Sequence, residues 1–310
     1  MINLRAQPRG RPRLARSRKF WRETAWAYAL LAPALLVIAL FHLYPLLRSV
    51  QLSLFDWNFV RPQQHFIGLQ NYKEILQDPV FWKAVRNTFI YVIGTVPIEI
   101  ALALSIAALL NRKLTGIGLY RIAFFLPHIT TVVAIAAVWR WLYHEEYGLF
   151  NQILPMIGLD PVMWLRDPFW TMPTIILMSV WKSLGYTAMI FLAGLQGLDK
   201  ELGNAARIDG ANPVQVFRYV TWPLLTPTTF FVSITSIIGA FKVFSEVFVL
   251  YGGTPGPLRE GITLVFYVYE KAWGEYKMGY ASAGALLLFL LVMAISGIQF
   301  WYARQRVHYD

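Results

Sequence analysis

Six stretches of the chain stay apolar for about twenty residues or more, near 25–47, 87–110, 122–143, 173–195, 224–250 and 281–302. A bilayer core about 30 Å thick needs about 20 apolar residues in helical form to cross it. The pattern therefore predicts six transmembrane helices. Trp139, Trp141 and Tyr143 cluster at the end of one stretch, and Trp301 and Tyr302 at the end of another. Amphipathic rings gather in this way at membrane–water interfaces.

Composition supports this reading over a soluble one. Hydrophobic residues make up 57% of the chain and charged residues 15%, where a soluble domain carries about 25% charged residues. The expected fold class is an all-α integral membrane protein, with a basic tail over 1–24 and one membrane domain over 25–310. The net charge of +11 does not point to nucleic acid, because no folded basic-aromatic module accompanies it. Arg5, Arg9, Arg11, Arg13, Arg16, Arg18, Lys19 and Arg22 all lie in the tail, as a cytoplasmic anchor against anionic membrane lipid would. Ala32-Pro33-Ala34 loosely resembles a signal-peptide cleavage site, but the apolar run continues through Leu35, Val37, Leu40 and Phe41, so a retained first helix is expected. The chain has no cysteine, which leaves no thiolate metal site and no disulfide. With the N-terminus inside, the inner segments carry sixteen Lys and Arg and the outer segments nine. The positive-inside rule then places both termini in the cytoplasm.

The segment 197–223, between the fourth and fifth stretches, can be read by capping chemistry. Asp199 suits an N-cap, with Glu201 in the first turn where the helix dipole favours negative charge. Gly210 can end that helix in the left-handed conformation. Asn212 starts another, with Pro213 at its first position and Gln215 placed for a capping box. Two short helices joined by a glycine turn are predicted, with Ala205, Ala206, Ile208, Val216 and Phe217 as apolar knobs. Such an elbow could lie on the inner leaflet as an amphipathic helix, or dock a soluble partner by a helix-in-groove contact.

This segment resembles the EAA loop of ABC importer permeases. Asn204-Ala205-Ala206 is followed by Arg207-Ile208-Asp209-Gly210-Ala211 and then by Trp222-Pro223-Leu224; Asn204 stands where that family usually has Glu. Further segments resemble the sugar-permease branch in the right order. They are Asn71-Tyr72, Asp78-Pro79-Val80-Phe81-Trp82, Asn87-Thr88, Phe125-Leu126-Pro127 with Trp139, Gly148-Leu149-Phe150-Asn151, Gly252-Gly253 with Pro255, and Tyr280-Ala281-Ser282-Ala283. The resemblance implies a type I importer permease of the maltose and glycerol-phosphate kind. It implies that Asn204, Ala205, Ala206, Ile208, Asp209, Gly210, Ala211 and Phe217 dock an ATPase. The implied partners are a second, different permease chain, two ATPase subunits and an extracytoplasmic solute-binding protein. No Walker A sequence occurs in the chain, so ATP and Mg would sit on the ATPase and this chain would bind no cofactor.

Charged residues within apolar helices are expensive and usually face a cavity or a partner. Glu99, Lys182, Lys242 and Glu246 are of this kind. Ser179, Lys182, Ser183 and Tyr186 share one helical face by the 3.6-residue period, and the resemblance places that face on the solute path. It places Ser236, Gly239, Ala240 and Val243 on a matching face. The competing reading is helix packing through hydroxyls and small residues. Lys242 and Glu246 are spaced to pair with each other, and Glu99 could pair with Lys182. An ion-coupled secondary transporter, a polyol or glycerol-phosphate permease and a membrane enzyme are the rivals. The outer acids Glu145, Glu146, Asp160 and Asp167 lack a His or metal constellation, which disfavours the enzyme.

Overall fold

A computed structural model describes residues 18–58, 61–112 and 115–306. The tail arginines from Arg5 to Arg16 lie outside the described residues. The chain divides at Gln51 and Leu52 into two units. In the first, α1 (Arg18–Ile38) passes through a π-helical turn at Ala39–Leu43 into α2 (Tyr44–Leu52). Together they form a span over Phe20–Leu52 whose side chains, Leu36 and Phe41 among them, are exposed. Exposed leucine and phenylalanine along a membrane-length helix match hydrocarbon as the surrounding medium.

The second unit opens with a hairpin of β1 (Phe55–Asn58) and β2 (Arg61–Phe66), in which Phe55 pairs with Phe66 and their rings meet edge to face at 5.4 Å. This hairpin adds a small antiparallel piece to the expected all-α fold. After α3 (Gln70–Gln77), Asp78 caps α4 (Pro79–Leu110) by accepting the Val80 N–H, with Pro79 at the first helical position. Next come α5 (Ile117–Ile129), α6 (Val132–Leu142), α7 (Leu149–Ile153) and α8 (Thr171–Gly197). The elbow consists of α9 (Lys200–Ile208) and α10 (Pro213–Val216). A π-helical turn at Phe217–Thr221 leads to α11 (Trp222–Leu224) and α12 (Thr226–Phe241). The chain finishes with α13 (Ser245–Leu250), α14 (Leu264–Tyr269) and α15 (Met278–Arg306).

Among the described residues, four helices are long and apolar enough to cross a membrane, and the number is six if two bent pairs each count as one span. The bends are the main departure from the expected stretches. The expected helix 122–143 is α5 and α6, turned by 99° at Thr130 and Thr131. Thr131 is extended and caps α6 through the Ala134 N–H, so the break is a helix end followed by a helix start. The second bent pair joins the segment Pro213–Leu224 to α12 with a turn of 66°, and the expected helix 224–250 separately stops at Phe241. Lys242 closes α12, Phe244 has φ −148° and ψ −56°, and α13 restarts at Ser245. Hydropathy carries past both helix ends because apolar residues resume within one or two positions, at Val132 and at Val243-Phe244.

The core lies mainly where α4 packs on α8. Gly94 on α4 comes so close to Ile176 that an added Cβ would sit 2.6 Å from its Cδ1. Gly185 on α8 abuts the α5 backbone, and a Cβ there would lie 1.8 Å from the Phe124 carbonyl oxygen. The buried rings of Tyr91, Tyr143, Phe241 and Tyr267 fill one part of the core, and Ala103, Ala107, Ala188 and Phe191 another.

Several residues of the family-like segments act as braces at the end of the unit where α4 and α8 begin. The Asn71 amide donates to the Ser53 and Phe55 carbonyls. The Asn87 amide donates to the Glu260 and Ile262 carbonyls, and Thr88 accepts the Leu264 N–H. Asn151 holds the loop before α8 through Glu145, Val162 and Trp164. Tyr267 donates to Asp78 at 2.8 Å, with Lys271 3.6 Å from the same carboxylate. Burial alone would raise the Asp78 pKa. The Tyr267 hydroxyl, the Val80 N–H and Lys271 outweigh it and hold the carboxyl below the usual range.

Candidate functional site

A cavity of about 360 Å³ opens among α4, α5, α8, α12 and the break after α12. All eight residues expected on the solute path line it: Ser179, Lys182, Ser183 and Tyr186 from α8, and Ser236, Gly239, Ala240 and Val243 from α12 and its end. Their exposure differs. Ser179, Ala240 and Val243 are buried at 5%, 8% and 3%, so their share of the wall is thin, whereas Tyr186 is exposed. Gly239 faces open space, because an added Cβ would meet nothing within 4 Å. Within this chain, close packing does not explain that glycine.

The charged residues pair differently from the sequence expectation. Glu246 takes the Lys182 ammonium at 2.7 Å rather than the Lys242 ammonium, bringing α13 onto α8. Glu99 accepts a hydrogen bond from Thr187 instead of meeting Lys182. The break after Phe241 explains the first change. Lys242 and Glu246 lie on opposite sides of it, so the helical i,i+4 geometry that would join them does not exist. The break also sets each charge at a favourable helix end: Lys242 at the carbonyl end of α12, and Glu246 in the first turn of α13.

Seven lining residues were missed in the sequence: Ile190, Val232 and Thr235, and four whose side chains shape the site more directly. Tyr91 and Thr95 come from α4, two turns and one turn before Glu99 on the same face; Thr187 comes from α8, one residue past Tyr186; His128 comes from α5. The signal on α4 was present, since Tyr91, Thr95 and Glu99 are spaced i, i+4, i+8 within an apolar helix. His128 follows Pro127, and its ring stacks on Tyr186 at 4.5 Å with an interplanar angle of 11°. The hydroxyls of Thr95 and Ser179 are buried beside Tyr91 without a hydrogen bond of good geometry, as is Nδ1 of His128. The wall thus offers two carboxylates, two ammonium groups and an aromatic stack.

The elbow has the expected construction. Asp199 accepts the Glu201 N–H. Asn212 and Gln215 form a reciprocal capping box at 2.8 and 2.9 Å. Gly210 has φ +86°. The Ala211 N–H reaches back to the Ala206 carbonyl and the Gly210 N–H to that of Arg207, which is a Schellman closure. Asn204, Ala205, Asp209 and Gly210 are exposed, Ala206 and Ala211 are half-buried, and Ile208 is 86% exposed at the tip. Val216 is not a knob as expected. It is buried and faces Gly203 across the two short helices, clamping the elbow shut. Val214, 73% exposed, takes the outward position instead. Phe217 sits at the root beside Trp222, lining an apolar groove along α4 and α12.

Membrane-length helices that enclose a polar, charged cavity define a membrane transport component. The particular family follows from sequence. The family described as "binding-protein-dependent transport system inner membrane component" matches residues 79–308, and the chain belongs to it. It is therefore a multi-pass transport component rather than an enzyme, a permease of the ABC importer class. The chain is 36% identical to the lactose transport system permease protein LacF of Rhizobium radiobacter over 293 residues, covering 93% of this chain and 97% of the relative. It is 35% identical to the trehalose/maltose transport system permease protein MalF of Thermococcus litoralis, covering 89% and 92%. Its fold superposes with a TM-score of 0.81 on a chain of a bacterial ABC transporter involved in import of the acidic polysaccharide alginate, at 21% identity and covering 94% and 100%.

Proposed function

We propose that this chain forms half of the translocation pathway of an ATP-driven importer for a sugar or oligosaccharide. An extracytoplasmic binding protein delivers the solute, and a second, different permease chain completes the pathway. The cavity between α4, α8 and α12 takes the solute, with Ser179, Lys182, Ser183, Tyr186, Ser236, Gly239, Ala240 and Val243 on its path. Hydroxyls bond sugar hydroxyls, and the Tyr186–His128 stack offers a face to sugar C–H groups. The relatives named for lactose, trehalose/maltose and arabinooligosaccharides support a carbohydrate solute.

Two ATPase subunits hold ATP and Mg, and this chain holds neither. The elbow faces the cytoplasm with both termini. Residues Asn204 to Ala211 and Phe217 set it into a cleft of one ATPase. Closure of the ATPase dimer moves the elbow and rocks α8 and α12, the helices that flank it in the chain and line the cavity. The observation that carries this reading is the coexistence of a pre-folded elbow, its apolar tip bare at Ile208, with the polar cavity between those same helices.

The test is purification of the tagged chain from its native membrane, with mass spectrometry of its partners. A second permease and an ATPase are expected. Ile208→Asp touches nothing that holds the elbow together, so it should release the ATPase and retain the second permease. A chain that purifies alone, under conditions that keep a control importer intact, rules out ATPase coupling.

A further inference from the structure

The charged groups around the cavity are not all paired. Lys182 and Glu246 neutralise each other at 2.7 Å, and Glu99 is engaged by Thr187. Lys242 is different. Its side chain is exposed and lines the cavity, and among the described residues its ammonium meets no carboxylate and no carbonyl. The carbonyl end of α12, which Lys242 closes, offsets part of the penalty for a charge within a membrane. It leaves the three N–H donors unused. A methionine or leucine would close α12 without that penalty. An open ammonium on a solute cavity is a site for an anion, and a neutral sugar, bound well enough by the hydroxyls and the Tyr186 ring, has no use for it.

We infer that the solute carries an anionic group, a carboxylate or a phosphate, and that Lys242 is the residue that reads it. The inference rests on the sugar-import reading and narrows it to acidic or phosphorylated carbohydrates. Lys242 fixes the anionic end. The stacked Tyr186 and His128 rings and the Ser183 and Ser236 hydroxyls hold the neutral part.

The test uses proteoliposomes containing the complete importer, with ATP enclosed and the binding protein outside. Three labelled probes are compared: digalacturonate, glucose 6-phosphate and maltose. Accumulation of digalacturonate or glucose 6-phosphate over maltose is expected, and which of the two enters distinguishes carboxylate from phosphate. Lys242→Met should raise the half-saturating concentration of the acidic probe about tenfold or more, the loss of one charge-assisted contact. Lys242→Arg should keep most of the affinity. Uptake of maltose alone, indifferent to Lys242→Met, overturns the inference and leaves the import reading standing. Loss of the second permease from the Lys242→Met complex also overturns it, because the lysine would then serve a contact between subunits. Failure of all three probes removes the sugar-import reading as well.

Discussion

The bonds that shape the elbow join near neighbours in the chain: Asn212 to Gln215, Ala211 to Ala206, and Val216 against Gly203. Those that shape the cavity join residues far apart: Glu99 to Thr187, and Lys182 to Glu246. The elbow also turns its apolar tip outward, whereas the cavity turns polar groups inward among apolar helices. A locally specified element can fold and move as one piece. A cavity assembled from distant helices changes shape whenever those helices shift. In a transporter these are useful opposites, a rigid handle and a deformable chamber, and α8 and α12 connect them.

The largest expected effect lies on the chamber. Lys182→Met leaves Glu246 without its cation while it remains only 18% exposed. Breaking a buried pair by removing one partner costs about 3 to 5 kcal/mol, and partial exposure to the cavity brings the expected loss to about 3 kcal/mol. Thermal unfolding in detergent reads it. The double variant Lys182→Met, Glu246→Leu should recover most of the loss, since no lone carboxylate remains. Equal stability of the single variant and the parent would show that the pair does not hold α13 to α8.

Next comes the crossing of α5 and α8. Gly185→Ala drives a methyl group into the Phe124 carbonyl, and only a backbone shift relieves it. Overpacking of this kind costs about 2 kcal/mol. The shift separates the helices that carry His128 and Tyr186, so their 4.5 Å stack should open. Lower thermal stability together with altered solute affinity sharpens the view of a chamber set by distant packing. A change in neither would mean that α5 is loosely seated.

The same contrast explains what was legible in the sequence. The elbow could be read almost residue by residue, because Asp199, Gly210, Asn212 and Gln215 act on backbone groups within a few positions of themselves. Val216 was misread because its partner, Gly203, becomes visible only once the two short helices fold back. The face of α8 was legible from its period. The pairing of Lys182 was not, because spacing favoured Lys242 for Glu246 and gave no sign that the chain breaks at Phe244. Tyr91 and Thr95 carried a readable period but looked like ordinary hydroxyls of a helix interface. The hairpin over Phe55–Phe66 lay in a polar stretch that hydropathy skips.

The smallest effect belongs to the elbow, and it tests the contrast most directly. Asn212→Ala removes one hydrogen bond of the capping box and deprives Gln215 of its reciprocal partner, a loss of about 1 kcal/mol. The elbow makes its stabilising contacts within itself, so this loss should stay local. Amide exchange at Gln215 and Val216 should rise about fivefold, the factor that matches that free energy, while the global melting temperature stays within a degree or so of the parent. Ile208, on the preceding helix and held by the Gly210 closure rather than the capping box, should keep its exposure and with it any contact made by the tip. A fall in global stability as large as that of Lys182→Met would mean that the elbow is tied into the bundle through Val216 and Phe217. The handle and the chamber would then unfold as one unit, and motion of the elbow would deform the cavity directly rather than carry whole helices with it.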